Sequence, residues 1–319
     1  MPDDNKHKLL TRAQSKLIDA SVLIFSEQAT TKDAAFIARE LVQATLPHKN
    51  PGDVPIWGRR NGNIAIALKP DVNMDTGRSY GYPYGTTPRL LLFWMTTEAL
   101  RTKSPRLELG NSLSGFMTEL GLNPDNGGTG AKRSDAKRLR DQLERLLRCR
   151  ITFKVTEGKD DRIGEKRRDM LITEASELWW NPKRQEQGAL WGSWIELGQR
   201  FYEAITAAPV PVDMRALKAL KRSPLALDLY SWLTYEAFRA HKSGKPRFET
   251  WKQLQAHMGG EYAHIQHFRA KVKAALLKIQ NVYPGLKLGR KQGGIEILPE
   301  SLPALQPRHV TIDGMCKSL

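Results

Sequence analysis

The chain has 319 residues, with 50 Lys and Arg against 34 Asp and Glu, a formal net charge of +16. That length predicts about two domains, and the charge predicts a polyanionic partner, nucleic acid before an acidic membrane surface. Two cysteines, Cys149 and Cys316, exclude a disulfide framework and a four-cysteine zinc site, and the longest apolar run, Leu90 to Met95, falls far short of the ~18 residues that span a bilayer. The opening MPDDNKHKLL lacks the apolar core and cleavage site of a secretory signal, so a cytoplasmic protein without membrane attachment is expected.

Residues 13–46 read as two helices. Leu17, Ala20, Val22, Ile24 and Phe25 form one apolar face, and Phe36, Ile37, Glu40, Leu41 and Ala44 set the period of the second, which stops at Pro47. Ile64, Ile66 and Leu68 alternate within Asn63 to Lys69, a strand signal. Thr87-Pro88 then opens an apolar helix to Arg101, because proline at the first helical position forfeits no internal hydrogen bond. A short strand at Leu107 to Leu109, a helix from Ser112 to Leu120, a glycine-rich turn and a helix from Lys132 to Arg148 follow. Two β-like runs, Arg150 to Val155 and Met170 to Glu174, flank a charged turn.

The same order recurs later. Ser223-Pro224 opens an apolar helix to Ala240, carrying Trp232 where the earlier copy carries Trp94. Arg247-Phe248, Glu249 to Met258 and Ile265 to Gln280 supply strand, helix and helix, and Leu286 to Leu288 and Ile295 to Leu298 flank the turn GRKQGG. This is the order of a winged helix-turn-helix. The expected fold is therefore α+β, mainly helical, with two tandem winged-helix domains and small antiparallel hairpins. An N-terminal helical segment (1–55) is expected to pack on the first domain (56–205). AAPVPV breaks the helix at Phe201 to Ile205 and marks the junction to the second domain (206–298), and a mobile tail (299–319) closes the chain.

Positive charge gathers on the third helix of each unit. In the first, Leu139, Leu143, Leu146 and Leu147 face inward, and Ser134, Lys137, Asp141, Arg145 and Arg148 face out, with Lys132 and Arg133 at the N-terminal end and Arg138 beside them. This face either meets DNA phosphates and base edges or is a solvated surface on which Asp141 bridges Lys137 and Arg145. In the second, Ile265, Phe268, Val272, Leu276 and Ile279 form the inward stripe. Gln266, His267, Ala270, Lys273 and Ala274 face out, flanked by Arg269 and Lys271, and no acid occurs from Ala263 to Lys278. Gln, Arg and Lys pair with purine edges, and alanine admits a thymine methyl, so base readout is expected here, with a solvated face as the alternative. Arg215, Lys218, Lys221 and Arg222, and Lys287, Arg290 and Lys291 in the expected wing, are candidate phosphate contacts.

Catalytic motifs fare worse. GGTGAKR lacks the spacing of a phosphate loop. His257, His264 and His267 are read as surface histidines rather than a metal site. No His-x-His accompanies Tyr80, Tyr82 or Tyr84, which argues against a nicking nucleophile. Asp160, Asp161 and Glu165 sit among basic residues in a turn, and Trp179, Trp180, Trp191 and Trp194 are read as core and sheet anchors. No enzyme activity and no cofactor are expected.

YGYPYGTTPRLLLFWMTTEALRTKS, LELGNSLSGFMTELGL, KRLRDQLERLLRCRITF and PVPVDMRALKALKRSPLALDLYSWLTYEAF resemble the plasmid-encoded RepA replication initiator family, from about Trp57 to Leu298. The resemblance implies two tandem winged-helix domains binding repeated double-stranded origin DNA (iterons). One domain would serve dimerisation and backbone contact, the other the main base readout. It also implies repression of the protein's own gene as a homodimer and contact with host replication proteins such as a helicase. A pure transcriptional regulator and an origin-nicking enzyme are the alternatives.

Overall fold

The computed structural model describes residues 11–124, 134–159, 162–179, 192–259 and 262–305. Its N-terminal part comprises α1 (Arg12–Ser26), β1 (Ala34–Ala38), α2 (Arg39–Gln43), β2 (Trp57–Asn61) and β3 (Ile64–Pro70). The first repeat unit comprises α3 (Thr87–Thr102), β4 (Arg106–Glu108), α4 (Leu113–Glu119), α5 (Asp135–Leu147), β5 (Cys149–Lys159), β6 (Arg162–Leu171), β7 (Thr173–Glu177), β8 (Trp194–Leu197) and α6 (Gln199–Ala207). The second comprises β9 (Pro209–Asp213), α7 (Met214–Leu220), α8 (Pro224–Ser243), β10 (Arg247–Thr250), α9 (Trp251–Met258), α10 (Ile265–Gln280) and β11 (Gly294–Ile297). The fold is α+β with small antiparallel sheets, and the order helix, strand, helix, helix, strand occurs in both units.

Both α3 and α8 carry proline in the first turn, and Ser223 caps α8 by accepting from the Ala226 N–H at 3.2 Å. The units close differently. In the second, β10 pairs with β11, and Leu288 bridges to Ile297. In the first, β4 pairs with β8, which pairs with β7, while β5 and β6 form a long hairpin joined to β3 and β2 in a sheet of order β2-β3-β5-β6. The stretch expected to be a charged turn is thus mostly hairpin strand. Beyond residue 155 the hairpin extends past the end of β3 and its described side chains are largely exposed, so no apolar alternation announces it.

The second N-terminal helix was a misreading. Residues Ala34–Ala38 are all buried and form a strand paired antiparallel with Pro209–Asp213, leaving only Arg39–Gln43 helical. The predicted junction is therefore a strand, and a two-stranded sheet tolerates its prolines because each strand is an edge. On α1, Leu17, Ala20 and Ile24 pack on the core, whereas Val22 and Phe25 are exposed. This helix packs on α7, and α2 on α8, so the N-terminal segment touches the second unit as well as the first. The tail expected to be mobile packs up to residue 305. Ser301 bonds the backbone of Lys287 at both N–H and carbonyl, Tyr283 donates to the Leu302 carbonyl, and Leu305 is buried with Ala34, Phe36 and Leu100. Residues 306–319 lie outside the described residues.

One continuous apolar core runs through both units. A buried polar cluster crosses it. The Arg89 guanidinium, on α3, clamps Asp228, on α8, with Nε to Oδ1 and Nη2 to Oδ2 both 2.7 Å. Its remaining donors go to the carbonyls of Pro47, Gly85 and Leu46 at 3.0, 2.6 and 2.7 Å, so all five guanidinium N–H groups are used. His48 Nε2 lies 2.8 Å from Asp228 Oδ2. Burial pushes the Asp228 carboxyl up, but Arg89 and His48 outweigh it and hold it well below the usual carboxylate range. Burial lowers His48 despite its carboxylate partner. Nearby, His257 is fully buried against the Val42 carbonyl at 2.8 Å, not on the surface, and burial pushes it down to about 4.

Candidate nucleic-acid interface

The α9–α10 pair is set by local chemistry. Thr250 and Gln253 form a reciprocal cap at the start of α9, at 3.0 and 3.3 Å. At its end the Phe268 ring of α10 packs so close that a Cβ on Gly259 would lie 2.4 Å from it. Any side chain there would push the two helices apart.

The buried face of α10 is Phe268, Val272, Ala275 and Ile279, with Ile265 and Leu276 half-buried rather than fully inward. Gln266, His267, Arg269, Ala270, Lys271, Lys273 and Ala274 are all exposed. Arg269 lies over the Trp251 ring, 5.5 Å from its centre, and His264 and His267 meet edge to face at 5.5 Å. None of the helix's cations joins an ion pair among the described residues. Leu277, 67% exposed, extends the same face beyond Lys273.

The corresponding face on α5 is more occupied. Lys137, Arg138 and Arg148 are exposed, but Arg138 pairs with Asp135 at 3.3 Å. Ser134 is buried and caps the helix by accepting from the Lys137 N–H at 3.1 Å. Arg145 is half-buried, paired with Asp141 at 3.0 Å, donating to the Tyr82 carbonyl at 3.5 Å and 5.6 Å from the Tyr84 ring centre. Gly81, at φ +79°, makes room for it, since a Cβ there would sit 2.8 Å from its guanidinium. Ser134 and Arg145 thus serve the fold in this state rather than an open surface. Lys132 and Arg133 lie outside the described residues.

Of the flanking cations, Lys218 and Arg222 are exposed and Lys221 is half-buried. Burial, then the neighbouring cation Lys16, pushes Lys221 below the usual lysine range. Arg215 instead folds onto Asp213, at 2.8 Å, and the Glu27 carbonyl. Lys287, Arg290 and Lys291 are exposed beside β11, with Lys291 4.3 Å from the Phe248 ring centre. Trp194 donates to Glu177 from the sheet, while Trp179 is exposed rather than a core anchor; Trp180 and Trp191 lie outside the described residues. Among the described residues no three His, Cys, Asp or Glu side chains form a metal-binding group, and no helix is long and apolar enough to cross a membrane.

A family model for the plasmid encoded RepA protein matches residues 82–253, more than half of the chain. The chain belongs to this family. The RepA match spans the first unit and continues into α9, stopping short of α10. A search of curated proteins found no match. Two crystal structures of domains 2 and 3 of RctB are similar in fold. One is 11% identical, covering 88% of this chain and 98% of that one at a TM-score of 0.47. The other is 10% identical, covering 81% and 94% at 0.44.

Proposed function

We propose that this chain initiates plasmid replication without enzymatic chemistry, by binding repeated origin DNA sequence-specifically through two winged-helix units, and that it represses its own gene. The observation that carries this reading is the outward face of α10. It is 16 residues long, exposed along its length, free of acids and furnished with groups that pair with base edges. A helix carrying only positive charge repels itself and is relieved by a polyanion. Phosphate contacts from Lys218, Lys221, Arg222, Arg290 and Lys291 supply affinity, and Gln266 to Lys273 supply sequence choice. About eight neutralised phosphates correspond to a log–log salt slope of roughly −7. Homodimerisation and contact with host replication proteins, including a helicase, belong to the same reading.

A genetic experiment tests it. A plasmid carrying only this gene, its flanking DNA and a selectable marker is expected to replicate in a suitable host, and the Lys273→Ala version to be lost. Specific binding with no replication would leave a transcriptional regulator in its place.

A further inference from the structure

The outer face of the β2-β3-β5-β6 sheet is not used by that reading. Strand register lays its side chains out in three rows. The first is Lys69, Arg150 and Leu171; the second is Gly58, Ala67, Thr152 and Asp169; the third is Arg60, Ala65, Lys154 and Arg167. The outer rows stand four residues apart along a strand, or about 13 Å. Between them runs a row of short side chains that ends in Asp169, and an open groove of about 850 Å³ lies over it.

The two cationic rows are not equivalent. Lys154 pairs with Glu165, and Arg167 with Asp169, which Thr152 also bonds, so two of this row's three cations are committed and Arg60, away from the groove lining, is the third. On the other side Lys69, Arg150 and Arg148, the residue capping α5, are exposed and line the groove with no ion pair among the described residues; Asp71 and Glu174 are the acids at this end, and the charge of Arg150 also reaches Asp169 in the next row. No aromatic side chain lines the groove, so it offers charge without a stacking platform. The sheet's edge strand β2 packs against α9, which places the groove next to the unit that carries α10.

We propose that this groove binds the phosphodiester backbone of a nucleic-acid strand, with Lys69, Arg148 and Arg150 as its phosphate contacts, and that the first unit meets its polyanion through the sheet and the C-terminal end of α5 rather than through the N-terminal turns of that helix. The proposal rests on the DNA-binding reading above. The helix face has two of its cations tied up by its own acids, while this flank of the groove holds three cations free of ion pairs among the described residues, Lys69 and Arg150 on the sheet and Arg148 at the end of α5. The floor is Ala67, Thr152 and Asp169, whose carboxylate is held by Arg167 and Thr152, and its low side chains let a sugar–phosphate strand approach the cations on its flank.

The test compares wild-type protein with Lys69→Gln/Arg148→Gln/Arg150→Gln, titrating repeat-bearing duplex and its separated strands across a salt series. The salt slope is expected to become shallower by about 2 to 3, on whichever of duplex or single strand the groove holds, since each lost contact removes about 0.9 or 0.7. Preference for the repeat over unrelated duplex should not change. Acetylation of Lys69 in the wild-type protein, measured with and without nucleic acid, covers the case in which the variant folds poorly: protection supports the groove. Unchanged slopes on both forms in a folded variant, or an unprotected Lys69, would overturn it and leave the α10 reading intact. A wild-type protein with no salt-dependent binding would overturn both.

Discussion

Replacing Arg269 and Lys273 together by alanine is expected to weaken binding to the repeated DNA about 100-fold or more, because each good base-edge pair supplies about 1–3 kcal/mol of discrimination. The same removal of two positive charges at Lys166 and Arg167 should cost less than about threefold. Those two are already committed, Lys166 to Glu157 and Arg167 to Asp169, each at 2.9 Å on the exposed hairpin, and such surface pairs exchange with solvent at little cost. The two pairs remove the same formal charge, so a diffuse attraction that depended on net charge alone would weaken both alike. Fluorescence anisotropy at one fixed salt concentration reads the difference. Equal losses would show that α10 contributes charge and no sequence choice.

Asp228→Ala should lower the melting temperature by on the order of 10 °C, from a loss of about 3–5 kcal/mol. The variant strands a guanidinium that is 3% exposed, with three carbonyls but no anion, and removes the partner of His48. Arg89→Met/Asp228→Leu should recover much of the loss, because the desolvation penalty of both charges disappears with them. A drop below about 2 °C would mean that the pair does not help lock α3 to α8. Acid should weaken the same region. The folded pKa of His257 is about 4, below its unfolded value of 6.5. At neutral pH the ring is uncharged in both states and adds no pH dependence. As pH falls from 6.5 to 4 the unfolded chain takes up a proton that the folded chain refuses, so stability falls by about 3 kcal/mol and then levels off. His48 shifts in the same direction. His257→Gln, which keeps a donor for the Val42 carbonyl, should flatten the acid side of the profile in melts run from pH 7 to 4.

What could be read from the sequence follows how local the cause is. The two proline-opened helices, the strand–helix–helix runs after them and the exposed face of α10 all rest on spacing within one element, and they stand where the periodicity put them. The misreadings share a non-local cause. Ala34–Ala38 is a strand only because Pro209–Asp213 lies beside it, a pairing across the first unit that a local window cannot contain; taken alone, Phe36, Ile37, Leu41 and Ala44 fit a helical period. The described side chains of the hairpin beyond residue 155 are polar and carry no period. Arg145 had the right charge on the right face, but the loop at Tyr82 and Tyr84 captures it. The interlock of Arg89 with Asp228 did leave a trace. Each is a lone charge in the opening turns of an otherwise apolar helix, PRLLLFWM and PLALDLYSWL, and such a residue is buried only with a partner. The cationic row at Lys69, Arg148 and Arg150 left none, because it is assembled by register between β3 and β5 and by the end of α5.

Competition binding separates base readout by α10 from attraction to charge alone. Labelled DNA from beside the protein's own gene, carrying the repeats, is displaced by unlabelled repeat or by unrelated duplex of equal length at one salt concentration. If α10 reads bases, the unrelated duplex competes at least about 1,000-fold less well, within the usual span between specific and non-specific binding. Equal competition by the two would contradict it.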